Sequence, residues 1–162
     1  MNPGPLTYQT EHCSIARALA LVGEKWTFLV LREAFNGVRR FDDILTRTGA
    51  PRQVLSNRLV QLVDAGLLRR APYQEPGQRQ RYEYRLTAMG LDLYPVLVSL
   101  LTWGDRYLAA GAGPPLLLTH RDCGEQVSVA LHCAAGHRLE SAREVRPVAG
   151  PGASSVTTWR TG

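Results

Sequence analysis

The 162 residues carry 44% apolar and 20% charged side chains, the balance of a folded globular protein and not of a disordered chain. Nothing in the chain approaches the roughly 20 successive apolar residues that a membrane-crossing helix needs. The first residues also lack the basic-then-apolar pattern of a secretory leader, so the expected compartment is the cytoplasm. A formal net charge of +5 points to an anionic partner, nucleic acid before membrane headgroups. Three cysteines, Cys13, Cys123 and Cys133, are an odd number at unrelated spacings, which excludes a secreted disulfide framework.

In chain order, residues 1–10 are rich in Pro and Gly and read as a disordered or partner-dependent arm. Ile15, Leu19 and Val22 recur at helical spacing, predicting a helix from Cys13 to about Val22. A second helix is expected over Lys25–Phe35, with Phe28, Leu31 and Phe35 as its buried stripe and Asn36-Gly37 as its stop. A short third helix, about Phe41 to Thr48, carries Asp42 and Asp43 in its first turn, where the helix dipole favours negative charge. Gly49 ends it, and Pro51 suits the first position of a fourth helix running to about Ala65. On that helix Leu55, Leu59 and Leu62 share one face; Gln53, Ser56, Asn57 and Val60 lie roughly opposite.

Residues 67–73 and 80–86 read as paired strands around a Pro76-Gly77 turn. Thr87 is the expected N-cap of a long helix to about Ala109, kinked at Pro95. Met89, Leu93, Val96, Leu97, Leu100, Leu101, Trp103 and Tyr107 make that helix apolar around much of its circumference. A small domain can hardly cover so much apolar surface, so a second chain is the economical partner. Three segments follow: 1–110 for the helices and hairpin, 111–148 for a small Cys/His-containing appendage of strands, and 149–162 as a flexible tail. The fold class is α+β and mainly α: a domain of short helices with a β-hairpin, a long C-terminal helix suited to dimerisation and a small β-rich appendage.

Charge singles out one part of this plan. Residues 36–86 hold ten arginines against five acidic residues, so this stretch alone accounts for the net charge of the whole chain. A cationic helix-helix-hairpin unit is what a reader of duplex DNA needs. Arg52, Gln53, Ser56 and Asn57 are candidates for base edges, and Arg47 and Arg58 for phosphates. Gln78, Arg79, Gln80 and Arg81 at the hairpin tip are candidates for the minor groove or the flanking backbone. Arg39 and Arg40 either grip phosphate or, in the case of Arg40, anchor a core carboxylate. The plainer alternative for the helix is a solvated polar face; the adjoining helix, tight turn and basic hairpin favour DNA.

The stretches GEKWTFLVLREAFNGVRRFDDIL, LSNRLVQLVDAGLLRR, RYEYRLTAMG and LYPVLVSLLTW, with Cys13 ahead of them, resemble the HxlR-type family, a branch of the MarR-like winged helix-turn-helix transcriptional regulators. The resemblance covers about residues 12–108. It implies a homodimer built on the N-terminal segment and the long C-terminal helix, with residues 51–65 entering the major groove of a pseudo-palindromic operator. Many relatives carry Ile-Ser where this chain has Ala50-Pro51, so operator sequence does not transfer.

Cys13 stands at a helix start, where unpaired amides and the dipole favour a thiolate, with His12 next to it. The resemblance adds that some relatives sense oxidants or electrophiles through a cysteine near this place; the alternative is a small buried residue at a dimer contact. His120, Cys123, Cys133 and His137 have a spacing that four zinc ligands can use, although CAAGH lacks the second cysteine of a C-x-x-C pair, and a metal-free decayed ribbon fits as well. Otherwise no cofactor is expected. Trp26, Phe28, Trp103 and Tyr107 are either core or the lining of a small-molecule effector pocket. The functions to be weighed are a homodimeric, sequence-specific DNA-binding regulator, with repression the expected output, and a winged-helix protein–protein adaptor. An enzyme with Cys13 as nucleophile lacks any accompanying acid–base constellation.

Overall fold

The computed structural model describes residues 13–109, 111 and 113–152. The expected N-terminal arm, His12 and the last ten residues lie outside them. The chain forms two compact units, Glu24–Val129 and a second that joins the segment ending at Gly23 to the residues from Ala130 onward.

In the larger unit, α2 (Lys25–Phe35), α3 (Phe41–Thr48) and α4 (Arg52–Asp64) enclose a leucine-rich core. Val30 and Leu31 of α2, Ile44 of α3, and Leu55, Leu59 and Leu62 of α4 are buried there. The α4 stripe is the one that its spacing predicts. On α2 the buried side is Thr27, Val30, Leu31 and Glu33, whereas Phe28 and Phe35 are only half-buried. Gly49 closes α3 in the left-handed region, with φ of 66°, a conformation open to glycine at little cost. Pro51 then caps α4 one position earlier than expected, its carbonyl accepting from the Leu55 amide at 2.9 Å.

β1 (Leu68–Tyr73) and β2 (Arg81–Leu86) pair antiparallel, from Leu68↔Leu86 at the base to Tyr73↔Arg81 near the tip. A third short partner joins them. Arg40 bridges Glu83, and the Tyr84 amide donates to the Arg39 carbonyl at 2.8 Å. The hairpin is thereby tied to the residues that enter α3.

The expected single helix after Thr87 is instead two, α5 (Ala88–Leu91) and α6 (Tyr94–Leu108). Proline lacks the amide that would continue the ladder, so Pro95 sits in the first turn of a new helix and does not kink an old one. Thr87 caps α5 as expected, accepting from the Gly90 amide at 3.1 Å while donating to the Gly66 carbonyl at 2.6 Å. Trp103 and Tyr107, expected as core or pocket lining, are 53% and 63% exposed.

The smaller unit contains α1 (Ser14–Val22), with Cys13 as its N-cap residue. It also holds β3 (Leu131–His132) and β4 (Arg138–Leu139), paired antiparallel, and a single 3-10 turn at Ala142–Glu144. The appendage thus has less strand than expected; Thr119↔Gln126 adds one isolated bridge in the larger unit.

Candidate nucleic-acid interface

Helices α3 and α4, with the Gly49–Pro51 turn between them, form a helix-turn-helix, and the β1–β2 hairpin is its wing. The apolar face of α4 is buried, so its other face is presented outward. Arg52, Gln53 and Asn57 are exposed on it, Ser56 is half-buried, and Val60 is 55% exposed. The Gln53 amide donates to the Asn57 Oδ1 at 2.9 Å. That bond pre-orders two amide side chains of the kind that bond base edges.

Around this face the arginines fall into two groups. Arg39, Arg79 and Arg81 are exposed and, with Arg69 of β1, have no ion-pair partner among the described residues. Sequence reasoning did not select Arg69; its outward place in β1 follows from the strand alternation. The others are held by local partners. Arg52 lies 3.4 Å from Asp42 and over the Phe41 ring, its Cζ 4.9 Å from the centroid. Arg40 pairs with Glu75 of the wing at 2.8 Å and stacks on Tyr73. It therefore anchors a carboxylate, though a half-exposed wing carboxylate and not a core one. Arg70 stacks on Tyr82, 4.1 Å from the centroid. At the wing tip Gln78 bonds Glu75, its Nε2 3.2 Å from Oε2, while Gln80 is exposed. Stacked and paired guanidiniums are pre-positioned, at the cost of a competing acidic partner.

Two candidate phosphate clamps also make ion pairs within the protein. Arg47 Nε donates to Glu33 Oε2 at 2.5 Å, joining α3 to α2. Arg58 reaches Glu24 at 3.3 Å and Gln61 Oε1 at 2.7 Å, with only 23% of its side chain exposed. Glu33 was not foreseen as a partner. The clue was its place in phase with Val30, because an acid on a buried stripe requires a cation. Burial pushes the Glu33 carboxyl up, but hydrogen bonds and charge from Arg47 and Arg32 outweigh it and hold the carboxyl below its ordinary range.

Within the appendage two Cys–His pairs form, one in each unit. Cys123 Sγ is 3.3 Å from His120 Nδ1, and Cys133 Sγ is 3.6 Å from His137 Nδ1. Among the described residues no three His, Cys, Asp or Glu side chains gather as metal ligands do. Cys13 is a half-buried free thiol. No helix among the described residues is long and apolar enough to cross a membrane.

Residues 21–112 match the model of the HxlR-like helix-turn-helix domain. The chain belongs to the HxlR-like helix-turn-helix family. It is a winged-helix member of the HTH-type transcriptional regulators. Rv3095 of Mycobacterium tuberculosis, described as an uncharacterised HTH-type transcriptional regulator, is 48% identical over 152 residues, which are 94% of this chain and 95% of that one. That similarity runs past residue 112 into the appendage. Among solved structures, PA1607, described as a candidate transcription factor, superposes with a TM-score of 0.74 at 34% identity, covering 84% of this HxlR-like chain and 94% of the other. A second such protein, PA1374 from Pseudomonas aeruginosa, gives 0.60 at 38% identity, over 88% and 95%.

Proposed function

We propose that this HxlR-like protein is a homodimeric repressor that binds a pseudo-palindromic operator in duplex DNA. The observation that carries this is the outward face of α4, where ordered Gln53 and Asn57 stand beside Arg52, while Arg79 and Arg81 extend the cationic surface along the wing. Asn57 and Gln53 read base edges in the major groove; Arg39, Arg69, Arg79 and Arg81 neutralise phosphates. Ser56 and Gln80 add polar contacts at the margins. Arg47 and Arg58 contribute by fixing α3 and α4, and Arg40 and Gln78 by fixing the wing.

Dimerisation is supported by α6. Val96, Leu100, Trp103 and Tyr107 recur at i, i+4, i+7 and i+11, and each is about half or more exposed. An apolar stripe of this length is stable in water when a second copy covers it. Occupancy of the operator by such a dimer blocks polymerase, which makes repression the output. Its activity is set by a signal, taken up by a small molecule or by the Cys13 thiol at the start of α1. Replacing Cys13 with Ser is expected to abolish a diamide response in a promoter fusion, and an unchanged response removes the thiol from the scheme.

Gel shifts with duplexes selected from a random pool, and with scrambled controls, test the assignment. Selected duplexes are expected to bind far tighter than the controls, with affinity falling steeply as salt rises. Equal binding to both, or none, favours an adaptor that recognises protein.

A further inference from the structure

Two arginines at the edge of the cationic surface are held by acids of that same surface. Arg52, the first residue of α4, lies 3.4 Å from Asp42 in the first turn of α3, with its Cζ 4.9 Å from the centre of the Phe41 ring. Arg40, just before α3, pairs with Glu75 Oε1 at 2.8 Å and stands over Tyr73, while Gln78 bonds the other oxygen of Glu75. Both pairs line one groove between the start of α3 and the wing. The groove sets Arg40, Arg52 and Arg81 against Asp42, Asp43 and Glu75, so it is formally neutral within a cationic surface. The four paired side chains are 41 to 70% exposed. Pairs this wet add little to folding, so the effect of the acids falls on what the arginines can bind.

A non-specific complex rests almost entirely on cations free to neutralise phosphates, whereas a specific one also needs side chains held in register with base edges. A carboxylate beside a guanidinium acts oppositely on the two. It withdraws a cation from phosphate and repels the phosphate itself, which weakens binding to any sequence. It also keeps the guanidinium in one place, and that pre-ordering favours the complex that needs a fixed geometry. Resting on the regulatory reading above, we infer that Asp42 and Glu75 are specificity-determining residues, which act by denying Arg52 and Arg40 to non-specific duplex. In the operator complex both pairs persist. Asp42 and the Phe41 ring hold Arg52 at the head of α4 beside Gln53, and Glu75 keeps the wing on Arg40. On other sequences no base contact offsets the two withheld cations.

The test uses the full chain, with Asp42→Asn, Glu75→Gln and the double variant. The probes are a duplex selected from a random pool by the unaltered chain and a scrambled duplex of the same composition. Each substitution should tighten the scrambled duplex about threefold, the worth of one exposed ion pair, and steepen its salt slope by about one. Affinity for the selected duplex should hold or fall. The ratio of the two therefore drops about threefold per site and about tenfold in the double variant. Asp42→Glu, which keeps the charge, should preserve the original ratio. Asp64→Asn removes the same charge at the other end of α4, about 18 Å along the axis and beyond the Debye length of about 8 Å, and should leave the ratio unchanged. Equal tightening of both duplexes, no change in either, or the same loss of ratio from Asp64→Asn overturns this inference alone. An unaltered chain that does not distinguish the two duplexes overturns the regulator reading on which it rests.

Discussion

At the scale of single residues, the proposed division between reading and clamping rests on Asn57 and Arg79. Asn57 lies on the outward face of α4 and Arg79 at the exposed wing tip. Asn57→Ala is expected to relax base preference by about 1–3 kcal/mol at one position. Arg79→Ala should weaken all duplexes about equally and reduce the salt slope by about one unit. Competition gel shifts against single-base operator variants distinguish them, and negligible effects of both would remove α4 and the wing from the groove. Glu33 makes a different prediction, on stability. Its carboxyl is held below the ordinary value near 4.5, so its ion pairs stabilise the fold above that pH. The contribution is lost as acid carries the pH through the lower folded value. Glu33→Gln should therefore cost about 1–3 kcal/mol at neutral pH and less under acid; a constant difference in denaturant midpoint from pH 7 to 3 would contradict the pairing. Two glycines are constrained for separate reasons. Gly49 has open space around it but a φ of 66°, whereas at Gly90 an added Cβ would stand 2.2 Å from the Leu67 carbonyl oxygen. Alanine at Gly49 should cost roughly 1–2 kcal/mol through backbone strain. At Gly90 it should cost about 1–3 kcal/mol through displaced packing of α5 against Leu67 and Leu86. Thermal unfolding that ignored either change would dismiss that explanation.

Among the elements, α6 bears the proposed dimer interface. Trp103→Glu or Leu100→Glu places a charge on its exposed stripe, leaving buried Val98 and the leucine core untouched. Sedimentation should show the variants as monomers, with operator affinity reduced about a hundredfold or more through lost bivalency. A variant that stayed dimeric would place the interface elsewhere. The elements also show what was legible in the chain. Strong 3.6-residue periods and glycine stops placed α2, α3 and α4 to within a residue, because each has a single buried face to specify. The period-2 alternation of RYEYRL did the same for β2. Pro95 is ambiguous from sequence because its missing amide is equally compatible with a kink and with a new first turn, and only tertiary packing chooses between them. Contacts between distant segments left no local trace: the Arg40–Glu83 bridge and the Arg58–Glu24 pair join residues whose neighbours give no sign of them. Trp103 and Tyr107 show the limit of composition, since large aromatics signal burial without saying which chain covers them.

For the whole molecule, net charge was informative because it is concentrated. The +5 of the chain resides in residues 36–86, the segment that folds into helix-turn-helix and wing. Several of those arginines are nevertheless paired with Asp42, Glu75, Glu33 and Glu24, so the proposed phosphate contacts are fewer than the count suggests. The salt slope should accordingly reflect about four phosphate contacts per protomer, from Arg39, Arg69, Arg79 and Arg81, and not ten. The most direct test is a hydroxyl-radical footprint of the full chain on a duplex selected from a random pool, with stoichiometry measured on the same complex. Two protected half-sites about one helical turn apart, or a multiple of it, with two protomers bound, is the predicted result. A single protected patch bound by one protomer, or no protection of any selected duplex, would contradict a twofold reader built on α4.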